Sequence, residues 1–537
     1  MLNMNISSLS DPRWQELGVR LPGYSAADAA AKTVSEPRWV HFGAGNIFRG
    51  FIARIAQRLL EDGLTDSGII AADTFDYEII DRIYKPYDNL TMMVDLAADG
   101  STACEIIGSV GESLRAGSAY RSDMARLREI FASPSLQLVS FTITEKGYSL
   151  RGISGEYLPV VLADFDDGPA LARHAMSVVC ALAYHRYTTC GAPIAFASMD
   201  NCSENGKVLS GSILEIANQW LARGIVDRGF IEYLSDPARC SFPWSMIDKI
   251  TPRPAQSVEQ LLTDKGIDAM APVTTAKNTF IAPFVNAEIP QYLVIEDSFP
   301  NGRPPLEKAG VYMTDRDTVN KAERMKVMTC LNPLHTALAV FGCLLGYTSI
   351  AAEMKDPQLR RLVERIGYDE GMPVVVDPGI IRPEDFLSEV LTQRLPNPFI
   401  PDMPQRIATD TSQKIPVRFG QTIRAYIESD SLDVTSLECI PLAIAGWLRY
   451  LLAVDDCGYP MAVSSDPMLM QLQEQLAGVS FGCPDSCRGR LDDILSNENL
   501  FAADLCACGL APKIYDMLTQ MLEGEGAVRR TLVKYLG

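Results

Sequence analysis

Glu323–His335 reads E-R-M-K-V-M-T-C-L-N-P-L-H and runs on into the apolar stretch Thr336–Leu345. It sets Glu323, Lys326, Asn332 and His335 along one expected helix, and these are residue types that move a proton and hold an oxygen. A lysine works as a general base when burial disfavours its charge, and its ammonium works as the matching acid. An asparagine amide donates to a developing oxyanion, and a neutral histidine holds a hydroxyl. The chain has four histidines in all, so one beside such a lysine and asparagine is informative. The same residues also suit a helix with an exposed E-x-x-K pair, an Asn-Pro turn and a packed histidine. On this segment alone the structural reading is the favoured one.

A second set of candidates lies far upstream. Arg38–Gly45, R-W-V-H-F-G-A-G, is a short apolar strand running into glycines. Asn46–Asp62 has helical spacing, with Ile47, Phe51, Ile55 and Leu59 on one face. Ser67–Asp73, S-G-I-I-A-A-D, is a second strand ending in an acid. Strand, glycine turn, helix and acid-terminated strand open a dinucleotide-binding βαβ unit. Glycines let the backbone approach a pyrophosphate, and the helix N-terminus offers N–H donors. Gly43 and Gly45 take the first two glycine positions, while Phe48 stands where a third is usual. Asn46, Phe48 and Arg49 open the helix and join the candidate cofactor-binding residues. Asp73, with Asp76 as the alternative, would accept the ribose hydroxyls and disfavour a 2′-phosphate, which selects NAD. His41 reads as a packed residue.

Leu136–Thr144 is a further strand ending at Glu145, and Pro193–Ser198 another ending at Asp200 and Asn201, with a helix over Pro169–Tyr187 between them. Alternating strands and helices imply a largely parallel sheet with ligands at the carboxyl ends of its strands. Ser241–Pro254 is a proline-punctuated loop carrying Asp248, Gln291–Glu296 is a strand, and Phe299–Pro305 looks like a connection. Beyond it helical periodicity dominates: Glu307–Leu345, Pro357–Ile366, Arg382–Gln393, Ser436–Leu452, Pro467–Leu476 and Lys513–Leu536. The expected fold is α/β: an N-terminal Rossmann-like, mostly parallel sheet domain over residues 1–305, then a mostly α-helical domain over 306–537.

Composition narrows the function classes. The 537 residues carry a formal charge of −19 with no basic tract. That argues against nucleic acid or an anionic membrane as partner, and leaves a small molecule. The N-terminus lacks a basic region followed by an apolar run, and the apolar stretches are interrupted short of a membrane span. A cytoplasmic monomer or small homo-oligomer is expected. Thirteen scattered cysteines suit reduced thiols. Cys483, Cys487, Cys506 and Cys508 lack zinc-ribbon spacing and an accompanying histidine, so no metal is expected.

Taken together, several motifs resemble the long-chain mannitol dehydrogenase family, which includes polyol dehydrogenases and hexuronate reductases. They are V-H-F-G-A-G-N-I-F-R-G from Val40, T-I-T-E-K-G-Y from Thr142, S-M-D-N-C-S-E-N-G from Ser198, F-P-W-S-M-I-D-K-I-T-P from Phe242, I-E-D-S-F from Ile295, and E-R-M-K…L-N-P-L-H from Glu323. The resemblance implies a metal-independent, NAD(P)-dependent oxidoreductase acting on a secondary alcohol or ketone of a linear sugar derivative. By the same resemblance Lys326 is the acid–base residue, Asn201 and Asn332 bind the oxyanion, His335 orients substrate and Glu323 relays protons. Asp248 lies near the nicotinamide ribose, and R-L-P-N-P from Arg394 belongs to the substrate segment. Arg394 and Lys414 are cations suited to a substrate carboxylate. The hexuronate branch implies reduction of D-fructuronate to D-mannonate, with a mannitol- or arabinitol-type polyol as the alternative. Here the lysine precedes the asparagine by six residues, against five in the usual pattern. On a straight helix the step from Lys326 to His335 turns through about 180°. Pro333 disfavours helical geometry at Asn332, so a bulge or kink is expected between Val327 and Pro333.

Overall fold

The apolar run after Pro37 forms strand β1 (Trp39–Phe42), every residue of it buried, as suits a central parallel strand. With β2 (Ile69–Asp73), β3 (Val110–Arg115), β4 (Leu138–Phe141), β5 (Ile194–Ser198) and β6 (Cys240–Ser241) it builds a six-stranded sheet. The order is β3-β2-β1-β4-β5-β6 and every neighbouring pair is parallel. That is the doubly wound nucleotide-binding order, with its switch point between β1 and β4. The computed structural model describes residues 2–152 and 154–537.

Side chains alternate across this sheet. Val40, Phe42, Val139 and Phe141 share one cluster with Leu127, Val178 and Leu209. Those three come from helices α2 (Arg121–Ala132), α3 (Ala175–Thr189) and α4 (Asn205–Ala222). Trp39, Ala71 and Leu138 instead join the cluster holding Phe51, Ile55 and Leu59. Of these, Ile55 and Leu59 belong to α1 (Ala53–Glu61), and Phe51 to the π-turn Phe48–Ile52 before it. The period of two along each strand thus feeds two separate cores. Arg186 of α3, wholly buried, spends its guanidinium on five carbonyls at the strand entrances. Phe131, Ser133, Leu136, Ala192 and Pro193 accept at 2.8–3.1 Å.

The chain divides into two compact units, one of Met1–Ala97 and Ser101–Asn320, the other of Ala98–Gly100 and Lys321–Gly537. The main division falls within helix α5 (Arg316–Arg324), later than the Phe299–Pro305 connection. The helix expected from Glu307 begins only at Arg316. Leu306–Ala309 is a 3-10 turn, and Tyr312–Thr314 pairs in parallel with Tyr292–Glu296. An available sheet edge satisfies that backbone, and tertiary pairing overrides the local helical pattern.

The second unit is helical. Its principal helices are α6 (Asn332–Leu345), α7 (Cys439–Tyr450), α8 (Ala511–Met521) and α9 (Ala527–Leu536). All of α7 is buried, and it packs against α6 and α8. Its N-terminus is capped by Glu370, whose carboxylate accepts from the amides of Glu438, Cys439 and Ile440 at 2.6, 2.6 and 2.7 Å. Three otherwise orphaned donors at the positive end of the helix are thereby satisfied. The helix expected over Lys513–Leu536 is two, α8 and α9, broken between Met521 and Ala527. The helical run 316–345 is long and apolar enough to cross a membrane by composition, contrary to expectation, but 78% of its most apolar window is buried in protein.

Candidate active site

On the first unit, Gly43, Gly45 and Asn46 follow β1, Asp73 ends β2 and Glu145 lies just beyond β4, all at carboxyl ends of the sheet's strands. Gly43 has φ +102°, and a Cβ there would stand 2.1 Å from the Thr142 carbonyl oxygen. The glycine therefore serves the close passage of the β1 and β4 ends. Gly45 has nothing within 4 Å of its would-be Cβ, so the turn is open there. Asp73 accepts from the amides of Ala44 (3.0 Å), Phe75 (2.8 Å) and Asp76 (2.7 Å), which binds the glycine turn to the end of β2. Burial pushes its carboxyl above the usual range despite those bonds. Asp76 is buried and accepts from Thr275 Oγ1 (2.5 Å).

Phe48 and Arg49 take a different place from the one expected. Both side chains are wholly buried. Phe48 stacks on His41, with ring centroids 4.3 Å apart and planes at 10°. Arg49 donates to the Ala282 carbonyl (2.8 Å) and to Asn46 Oδ1 (2.9 Å). The π-turn Phe48–Ile52 carries them into the core, so they support the loop from behind. The close-packing glycine of this helix is Gly50, where a Cβ would meet Val285 Cγ1 at 2.8 Å. The G-x-G spacing has no slot for it, and sequence reasoning missed it. His41 is packed as expected, between Ser140 Oγ (2.7 Å) and Thr142 Oγ1 (2.8 Å), and burial holds its pKa down to about 3.

Thr144, Glu145, Lys146, Asp200 and Asn201 line a cleft of about 370 Å³. Thr144 has φ +66°, a strained conformation for a β-branched residue. The Asp200 carboxylate maintains it, accepting from Ile143 N (2.8 Å), Thr144 N (3.1 Å) and Tyr148 Oη (2.6 Å). Burial raises the Asp200 carboxyl against these bonds. Asn201, beside it, is exposed in the cleft, as is Glu145. Asp248 ends the buried strand Ser245–Asp248. The Asp200→Asn variant puts an amide donor where two backbone N–H groups and a phenol seek acceptors. Turnover should fall by about 10–10²-fold, with a higher KM for the dinucleotide. Unchanged kinetics would show that the Thr144 conformation holds without Asp200.

On the second unit the helical run does bulge. Met325–Cys330 is a π-turn, with the Leu331 amide donating to the Lys326 carbonyl at 3.1 Å. Leu331 then leaves helical geometry (φ −132°, ψ −61°), and α6 starts at Asn332 with Pro333 in its first turn. The π-turn takes up one residue more than an α-turn, which absorbs the longer lysine-to-asparagine spacing where a bulge is expected. Lys326 is 2% exposed. Glu323 lies a turn earlier on α5. Asn332 and His335 share one face of α6. His335 Nε2 stands 3.7 Å from the carboxylate of Asp402, a buried partner that sequence reasoning missed.

The two expected carboxylate-binding cations differ in position. Arg394 ends the π-turn Val390–Arg394 and is buried. Lys414 turns its ammonium onto the carbonyls of Ile407 (3.0 Å) and Thr409, and burial lowers its pKa. Its charge is committed to closing its own loop.

Residues 37–308 match the mannitol dehydrogenase Rossmann domain model and residues 318–521 the mannitol dehydrogenase C-terminal domain model. The chain belongs to the mannitol dehydrogenase family. It is therefore an oxidoreductase acting on CH–OH groups. A D-mannonate oxidoreductase of Thermotoga maritima is 51% identical, over 100% of this chain and 99% of its own. Among solved structures, the Pseudomonas fluorescens mannitol 2-dehydrogenase ternary complex with NAD and D-mannitol superposes with a TM-score of 0.69 at 26% identity, covering 99% of both chains. A substrate-free D-sorbitol dehydrogenase gives a TM-score of 0.77 at 26% identity, covering 96% of this chain and 97% of that one.

Proposed function

We propose that this chain is an NAD-dependent hexuronate reductase that interconverts D-fructuronate and D-mannonate without a metal, with Lys326 as its acid–base group. The observation that carries the chemistry is a lysine 2% exposed, held in a π-turn directly before an asparagine at a helix N-terminus. The direction of substrate choice follows the family member 51% identical over the full chain, a D-mannonate oxidoreductase.

NAD, when bound, would supply the hydride acceptor, and as NADH the hydride donor. The glycine turn fits a dinucleotide: Gly45 opens onto free space that a Cβ would occupy, and Asp73 stands at the end of β2 for the ribose hydroxyls. Phe75, 63% exposed and two residues beyond, offers the adenine a stacking face. Asp248, ending its strand, would lie near the nicotinamide ribose, and Glu145, just beyond β4, would contribute to holding the cofactor. In the reductive direction the Lys326 ammonium gives its proton to the nascent alkoxide, and in the oxidative direction the amine removes it. Asn332 donates to the reacting oxygen. His335, oriented by Asp402, holds a substrate hydroxyl, and Glu323 passes protons to and from Lys326.

Initial rates with NADH and NADPH against D-fructuronate, D-tagaturonate, D-fructose and D-xylulose test this. D-fructuronate with NADH should be preferred. Turnover confined to neutral ketoses would make the chain a polyol dehydrogenase, the reading favoured by its likeness to the mannitol and sorbitol enzymes.

A further inference from the structure

Four cations of the second unit lie in π-turns among the described residues: Lys326 in Met325–Cys330, Arg365 in Arg365–Gly371, Arg394 in Val390–Arg394 and Arg418 in Pro416–Gly420. A π-turn costs regular hydrogen bonding and recurs at functional sites. Lys326 is the acid–base group of the proposed reaction, the sequence resemblance puts Arg394 in the substrate segment, and Arg365 pairs with Asp369 and Glu438, whereas Arg418 has no assigned role. Its NH1 donates to Thr336 Oγ1 at 2.7 Å and reaches the Asn332 carbonyl at 3.5 Å. Those contacts fasten the guanidinium to the first turn of α6. Thr336 is one turn beyond Asn332, and His335 lies between them, so Arg418 stands beside both residues assigned to substrate.

The guanidinium is short of acceptors. It has five N–H donors, and both of its contacts use NH1. No carboxylate pairs with it among the described residues, and burial draws its pKa down to about 10. Lys414, four residues earlier, adds a like charge nearby. A partly buried arginine lacking a carboxylate is costly unless an anion arrives with the ligand. Its free edge, Nε with NH2, matches a carboxylate in the bidentate fork geometry that lysine cannot reproduce.

We propose that Arg418 is the specificity residue for the acid group: it binds the substrate carboxylate through Nε and NH2 while NH1 stays anchored to Thr336. This rests on the hexuronate reading above and gives it a residue. Neutral polyols and ketoses lack the group that Arg418 awaits, so it discriminates between substrates without touching the reacting oxygen.

The test is kcat and KM with NADH for D-fructuronate and D-fructose, in the native enzyme and in Arg418→Met and Arg418→Lys. Where D-fructose turns over too slowly to rate, its inhibition constant against D-fructuronate serves as the neutral arm. Arg418→Met should lower kcat/KM for D-fructuronate by about 10²–10³-fold, mainly through KM, and leave the neutral arm within about threefold. Arg418→Lys should recover part of the loss, and it also serves if the methionine variant does not fold. Equal losses on both arms would mean that Arg418 only supports α6, and no loss on D-fructuronate would mean that it binds no carboxylate. Either overturns the proposal while leaving the hexuronate reading intact. A native enzyme that does not reduce D-fructuronate defeats that reading, and the role of Arg418 with it.

Discussion

Replacing Lys326 by alanine should lower kcat for ketone reduction by about 10³–10⁴-fold, the range general acid–base catalysis supplies. KM should change little, because the proton transfer belongs to the transition state and not to substrate binding. The side chain is buried in the π-turn Met325–Cys330, so water has poor access to replace it as proton donor. Small primary amines should restore part of the lost rate by entering the space the butylammonium vacates. The Lys326→Arg variant should not recover activity, since a guanidinium does not give up its proton at working pH. Retention of more than a tenth of native kcat in the alanine variant would remove Lys326 from the mechanism and return the Glu323–His335 segment to a structural role.

The second large effect falls on stability. Arg186→Lys should destabilise the protein by about 2–4 kcal/mol. In the native protein all five N–H groups of Arg186 meet carbonyls, at Phe131, Ser133, Leu136, Ala192 and Pro193. A lysine offers three donors on a shorter reach, so at least two of these buried carbonyls lose their partner. The midpoint of urea unfolding should fall with an unchanged slope. The affected turns lead into β4 and β5, at the strand ends opposite Asp200, so kcat of the folded variant should stay near native. A midpoint within error of native would mean that the carbonyls find water or relax, and that the arginine is not the hub its geometry implies.

Much of the first unit was legible because its information is local. Trp39–Phe42 and Ile69–Asp73 are apolar runs bounded by glycine and acid, and only a buried parallel strand suits such a run next to an amphipathic helix. The family motifs likewise placed Lys326, Asn332 and His335 on one helical run, and their spacing with Pro333 foretold a bulge. Other features turned on contacts between residues distant in sequence. Nothing local announces that Phe48 stacks on His41, or that Gly50 provides the close packing left open at position 48. The pattern over Glu307–Thr314 is helical until the edge at Tyr292–Glu296 claims its backbone. Lys414 and Arg418 look equivalent as sequence, two cations four residues apart in one proline-rich segment. The fold turns one onto the carbonyls of its own loop and the other onto Thr336, its Nε and NH2 left without a partner among the described residues. Sequence by itself determined the types of group present and the periodicities that build strands and helices. Tertiary structure decided which of those groups are spent on the protein and which remain for a ligand, because hydrogen bonds to buried groups are settled by neighbours that the chain brings together only on folding.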